Sequence, residues 1–216
     1  MNTTYDCIII GAGAAGMLAA ISAAKENKKV LVLEKLPKIA AKLKATGGGR
    51  CNLTNTLSND EFMAKFGRDG RFMTPALNAF NHKELQNFFS SIGVETHAPD
   101  GFRIFPIGHN AMSVINGLAE EMEKLNVSVL CSQKVKKLIC RDDTIEGVET
   151  EESSFFAPNV IMATGGMGYP VLGAEGDGFV MAKSIGHKVT DLHPAMMPLK
   201  TKELWEQTVE QTPLQK

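Results

Sequence analysis

The sequence predicts an α/β fold: a central parallel sheet with flanking helices and a small antiparallel β-meander. Three observations predict it. Two short apolar runs, 5–10 and 29–33, bracket an alanine-rich stretch whose Met17, Ile21 and Ala24 recur at helical spacing. A later apolar run, 159–163, ends directly in glycines. Between them, 135–140, 145–150 and 154–157 are β-rich and separated by polar turns.

The first strand–helix–strand reading implies parallel strands, because a crossover helix is the connection that parallel strands need. The joint between strand and helix is Gly11-Ala12-Gly13-Ala14-Ala15-Gly16. A GxGxxG pattern alone is weak evidence, but one that closes a strand and opens a helix is in its confirming context. Gly11 permits the tight turn, Gly13 lets backbone approach a pyrophosphate, and Gly16 allows close helix–strand packing. The helix N-terminus offers unpaired N–H groups and partial positive charge to an anion. Ala20 packs the helix on the sheet, and Asn27 tolerates the left-handed turn at its end. Glu34 ends the second strand, where a carboxylate accepts hydrogen bonds from a ribose diol and repels a 2′-phosphate. The pattern therefore predicts a Rossmann-like domain with a site for the ADP portion of FAD, or of NAD, rather than NADP.

Residues 36–60 are polar, basic and glycine-rich and read as a long irregular loop, a feature usually tied to function. At its centre, Gly47-Gly48-Gly49-Arg50-Cys51-Asn52 exposes backbone amides beside a cationic fork, which suits a second grip on a diphosphate or on a flavin edge. Cys51 next to Arg50 has two readings: a thiol activated by the neighbouring charge, or a small residue packed beside the cofactor. The second is preferred, since nothing supplies a resolving partner.

Helical stripes follow at Leu85, Phe88, Phe89, Ile92 and at Ile115, Leu118, Met122, Leu125; both read as core faces. Residues 127–131 read as a strand. Residues 159–163 read as a buried strand that delivers Thr164, Gly165 and Gly166 to the C-terminal edge of the sheet, where ligands bind. Asp177, near the start of a helix at 178–186, is read either as its cap or as a cofactor contact. None of the five histidines has a visible partner; His193 alone is a candidate for testing, and no catalytic residue can be named.

Composition narrows the class. At 44% hydrophobic and 22% charged, the 216-residue chain has the makings of a globular core. A net charge of −1 gives no reason to expect nucleic acid or an anionic membrane surface. The uncharged stretch 7–24 is long enough to raise a membrane span or signal sequence, but its flank carries Asp6 and no basic residue, and its glycines fall at cofactor spacing. The four cysteines include no CxxC pair and no zinc-ligand spacing, so no metal site is expected. Cys7 and Cys131 read as buried thiols, and a reducing cytoplasm is the expected compartment.

Taken in order, IIIGAGAAG, LEK, TGGGRCNLTN, ATGGMGYPVLGAEGDG and HPAMMPL resemble a family of bacterial FAD-dependent oxidoreductases that includes aminoacetone oxidase-like and bile-acid dehydro-reductase-like flavoproteins. The resemblance runs over nearly the whole chain. It implies FAD as cofactor and a small organic substrate that exchanges two electrons with the flavin. It places Gly11, Gly13, Ala14, Ala15 and Gly16 at the pyrophosphate, Glu34 at the adenosine ribose and Lys35 beside adenine. Gly48, Arg50, Cys51 and Asn52 would line the flavin side, Val135 would meet adenine through its backbone, and Thr164, Gly165 and Gly166 would close over the cofactor. Two departures stand out. Ala40-Ala41 occupy positions where the family more often has a glycine and a basic residue. Family members are also longer, with an inserted domain after HPA and a return to the FAD domain. Residues 1–191 are therefore expected to form the FAD-binding domain and 192–216 the start of a truncated insert, with apolar surface left open to self-association. The competing readings are a non-catalytic dinucleotide-binding module completed by a second polypeptide, and, less favoured because of TGGGRCN, an NAD-dependent dehydrogenase.

Overall fold

The computed structural model describes residues 5–193. The elements follow in order: β1 (Cys7–Ile10), α1 (Ala14–Lys25), β2 (Val30–Leu33), α2 (Ala41–Ala45), β3 (Thr54–Asn55), α3 (Asn59–Ala64), α4 (Thr74–Ala79), α5 (His82–Ser91), β4 (Thr96–His97), β5 (Arg103–Pro106), α6 (Ala111–Lys124), β6 (Ser128–Leu130), β7 (Val135–Arg141), β8 (Thr144–Thr150), β9 (Ser154–Phe156), β10 (Val160–Met162) and α7 (Asp177–Ser184). Three 3-10 turns join them at Thr46–Gly49, Gly67–Met73 and Pro170–Leu172.

Four strands, in the order β10-β1-β2-β6, make the parallel sheet. Both faces of β1 and β2 are covered, which is why CIII and VLVL are unbroken apolar runs rather than alternating ones. Alternate residues still sort by face. Cys7, Ile9, Val30 and Val32 join a core with Met17, Ile21 and Leu118 from α1 and α6. Ile8, Ile10, Leu31 and Leu33 join a second core with Val135 and Val148 of the meander and Met181 of α7. The molecule is thus layered as helices, parallel sheet, and antiparallel β7-β8-β9 sheet. The meander has the strands and the polar turn expected of it.

The predicted α/β class, the first βαβ unit and both helical stripes are found. Asn27 takes φ 57° at the end of α1, as its cap position asks. Three expectations need correction. The 36–60 segment is not structureless: it holds α2, a 3-10 turn, β3 and the first residues of α3, which starts with a Ser58–Glu61 capping box. The 159–163 strand is not buried. As β10 it lies at the edge of the sheet, and Ile161 and Met162 are 38% and 41% exposed. Cys7 is buried but Cys131 is only half-buried, since it follows the other edge strand. The predicted insert at 192–216 falls, from 194 onward, outside the described residues.

Candidate functional site

The C-terminal ends of β1 and β2 open into a cleft of about 690 Å³, its open mouth included. This is the edge of a parallel sheet at which ligands bind. Gly11 leaves β1 with φ 103°, a conformation closed to side chains, and a Cβ there would sit 2.7 Å from the Ala163 carbonyl oxygen. A Cβ on Gly16 would lie 1.9 Å from the Gly11 carbonyl oxygen, so α1 is pressed onto its own turn. Gly13 differs from both. A Cβ there would meet nothing within 4 Å, and the residue lines the cleft. No side chain caps α1 and no acidic residue stands in its first turn, so the N–H groups of Ala14, Ala15 and Gly16 keep their claim on an external anion.

Glu34 is buried and its carboxylate is fixed from two sides. Ala12 N–H donates to Oε2 at 2.7 Å and Leu36 N–H to Oε1 at 2.9 Å. A carboxylate offers about four acceptor sites, so two remain for a ligand's hydroxyls. The residues fit an ADP moiety: open backbone and free amides for its diphosphate, and a held carboxylate for its ribose.

Other candidates are divided by the fold. Glu34, Lys35, Val135, Thr164, Gly165 and Asp177 line the cleft with Gly11 and Gly13. Ala14, Ala15, Gly16, Gly48, Arg50, Cys51, Asn52 and Gly166 do not. Cys51 is fully buried in the helix-side core, and burial pushes its thiol up to about 11, which overturns the activated-thiol reading. Arg50 turns back on its own loop, donating from Nε to the Gly47 carbonyl oxygen at 3.2 Å and lying over the Phe105 ring. Ala40 takes φ 60°, a left-handed conformation that glycine holds without strain, which agrees with the glycine that the family resemblance implies there.

Asp177 is not a cap. Gly176 occupies the N-cap of α7, and Asp177, the first helical residue, pairs with Lys35 Nζ at 2.6 Å. Lys35 also donates to Glu175 at 2.7 Å, and Lys134 lies 3.4 Å from Glu175 and 3.6 Å from Asp177. Burial would raise the Asp177 carboxyl, but the hydrogen bond and charge of Lys35, with Lys134, bring it below its ordinary value. Hydrogen bonds from Lys35 and Lys134 lower Glu175 likewise. Burial works against the Lys35 ammonium, yet its bonds to Asp177 and Glu175 leave it raised. At the other end of the cleft, Lys42 Nζ donates to the Gly168 carbonyl oxygen at 3.1 Å and lies over the Tyr169 ring. Sequence reading missed Lys42, Lys134 and Glu175, because pairings across 41 to 140 residues leave no periodic trace.

Two histidines read as partnerless do meet: His97 and His109 place their Nε2 atoms 2.9 Å apart, so one must donate and the other accept. His109 stacks on Phe105. Among the described residues no group of three or more His, Cys, Asp or Glu could hold a metal ion, and no helix is long and apolar enough to cross a membrane.

Residues 5–215 match the family model described as HI0933-like protein Rossmann domain. The chain belongs to that family. Its relatives include a 3-dehydro-bile acid delta(4,6)-reductase of Clostridium scindens, 35% identical over 90% of this chain and 47% of that protein. A ribosomal RNA dihydrouridine synthase of Escherichia coli is 29% identical over 90% of this chain and 48% of that protein. The chain thus spans about half the length of the curated relatives it matches. Among solved structures, a 3-ketosteroid-delta4-(5alpha)-dehydrogenase from Rhodococcus jostii RHA1 shares the fold, with TM-score 0.64 and 20% identity over 86% of this chain and 54% of the other. The family resemblance of the five motifs and the Rossmann fold are therefore both established, and the family is one of flavoprotein oxidoreductases.

Proposed function

We propose that this chain is the FAD-binding part of an oxidoreductase that moves two electrons between flavin and a small organic substrate. The observation that carries the reading is the cleft at Gly13, where open backbone, the uncapped α1 N-terminus and the held Glu34 carboxylate converge. When bound, the flavin supplies the electron transfer itself. The chain's residues bind and orient: α1 and Gly13 take the diphosphate, Glu34 the adenosine ribose, and Val135 borders the adenine. The Gly47–Gly49 turn and Arg50 lie outside the cleft, and it is the family resemblance that supports assigning them to the flavin end. For substrate, a carbon–carbon double bond conjugated to a carbonyl is proposed. Its support is that the bile-acid reductase and the dihydrouridine synthase, by their names, both concern such a bond. The −1 net charge supports a small molecule for this chain, as the name of the bile-acid reductase does, whereas the dihydrouridine synthase is by its name an enzyme of ribosomal RNA; cysteine usage supports a cytoplasmic setting.

The test is the absorbance spectrum of the purified chain titrated with FAD, FMN and NAD. The expected result is a perturbed flavin spectrum with FAD and none with FMN, since recognition resides in the ADP half. Saturable NAD binding without any FAD binding would replace the reading with a nicotinamide dehydrogenase.

A second reading is a binding module that turns over only with further polypeptide. The exposed outer side of β10 supports it, because a parallel edge that has no neighbouring strand among the described residues, with apolar side chains, invites another strand or a second copy. Light scattering that shows self-association at high concentration, with flavin bound but no turnover, favours this reading. Full turnover by the isolated monomer rejects it.

A further inference from the structure

The segment Gly165–Asp177 closes one side of the cleft, yet it has little regular structure. Between β10 and α7 it offers only the 3-10 turn at Pro170–Leu172. Met167, Tyr169 and Val171 are exposed, and Ala174 is its buried apolar residue, so apolar packing holds it at that point and not across its first half. Elsewhere it is tied down by charge from distant parts of the chain. Lys42, ahead in sequence by more than a hundred residues, holds Gly168 and Tyr169 at one end. Lys35, just after β2, and Lys134, just before β7, hold Glu175 and Asp177 at the other. Lys35, Lys134 and Asp177 line the cleft, whereas Glu175 does not. Glu175 touches both lysines and is itself 45% exposed.

We infer that Glu175 is a positioning residue: through Lys35 and Lys134 it fastens segment 165–177 as a strap across the adenosine end of the cleft, and the nucleotide enters and leaves when this clasp opens. The inference rests on the cleft being the FAD site. The clasp joins three separate connections, after β2, before β7 and before α7. Opening it frees the strap without disturbing either core, because none of the four charged residues belongs to them. Its members are partly exposed, so salt screens them and the strap loosens as ionic strength rises.

The experiment compares the full chain with Glu175→Gln and Glu175→Asp. FAD release is followed by the recovery of free-flavin fluorescence on dilution, at low and high salt. Hydrogen exchange of peptides covering 165–178 is followed in parallel with no nucleotide present. Glu175→Gln is expected to release FAD about two- to fivefold faster at low salt, with the salt dependence reduced but not abolished, since Asp177 still pairs with Lys35 and Lys134, and the melting temperature unchanged. Glu175→Asp should restore part of the slow release. The strap peptides of Glu175→Gln should exchange faster while α1 peptides do not change. If the variant matches the parent in both release and strap exchange, the clasp is overturned. If the chain takes up no FAD, the flavin reading fails, and the exchange arm still decides the clasp: unchanged strap exchange overturns it and faster exchange supports it.

Discussion

Two glycine-rich segments contribute to the same cleft, Gly11–Gly16 through Gly11 and Gly13 and the strap at 165–177 through Gly165, Gly173, Ala174 and Asp177, and they are fixed by different means. The first is held by contact. Gly16 packs against the Gly11 carbonyl, Gly11 against Ala163, and the turn sits between a buried strand and a buried helix face. The second is held by ion pairs and one lysine–carbonyl bond from loops far away in sequence. Steric contact at close-packed backbone is insensitive to salt and pH and intolerant of added atoms. Paired charges at a cleft mouth tolerate added atoms but respond to both conditions. The cleft therefore has one rigid wall and one that solution conditions can move.

The comparison is broken most severely at its rigid wall. Gly16→Ala puts a methyl where no space exists and is expected to lower unfolding free energy by about 3 kcal/mol, read by urea denaturation. A loss well under 1 kcal/mol would show that the turn relaxes and is not the rigid partner. Next in size is Glu34→Ala. It strands the Ala12 N–H in a buried site, at a cost of about 1–3 kcal/mol, and should weaken FAD binding at least about tenfold by titration. Glu34→Gln, which keeps an acceptor, should lose less, and equal losses would mean that the charge rather than the anchoring matters.

Of the two walls of the cleft, acid should move the strap. Glu175 and Asp177 have folded carboxyls below their ordinary values, so their contribution is complete above those ordinary values and fades as pH falls through the folded ones. Lys35 is raised, so its contribution is complete below its ordinary value and fades only as pH climbs past the folded one. FAD retention should accordingly be flat from about pH 6 to 9 and weaken below about pH 4, ahead of any change in far-ultraviolet circular dichroism. Simultaneous loss of retention and secondary structure would place the acid-sensitive groups in the rigid wall instead. The smallest effect is expected at Ala40→Gly. Relief of a left-handed alanine, about 1 kcal/mol, is offset by removal of a buried methyl of similar worth, leaving a net gain under about 0.5 kcal/mol in thermal unfolding. A clear destabilisation would mean that the methyl's packing at the cleft wall outweighs the strain.

The histidines and cysteines show where sequence reading stops short. His97 and His109 are 12 residues apart and carry no motif; they meet because β4 and β5 pair and the turn after Pro106 brings His109 back over Phe105. Cys51 beside Arg50 suggested an activated thiol as one choice, but neighbours in sequence need not be neighbours in charge. The Arg50 guanidinium faces Gly47 and Phe105 while the thiol turns into the core.

The sequence by itself determined the parallel sheet, the βαβ turn, the anion-ready helix end and the acidic residue at the second strand. Each of these is a local pattern whose cause lies within a few residues: strand and helix periods, glycine where no side chain fits, a carboxylate at a strand end. Only the tertiary structure decided that β10 lies at an exposed edge, that Asp177 is an ion-pair partner rather than a cap, and that Lys35, Lys42, Lys134 and Glu175 close the cleft. Those outcomes depend on which distant segments the fold brings together, and a charge has no periodicity by which a single sequence can announce its partner.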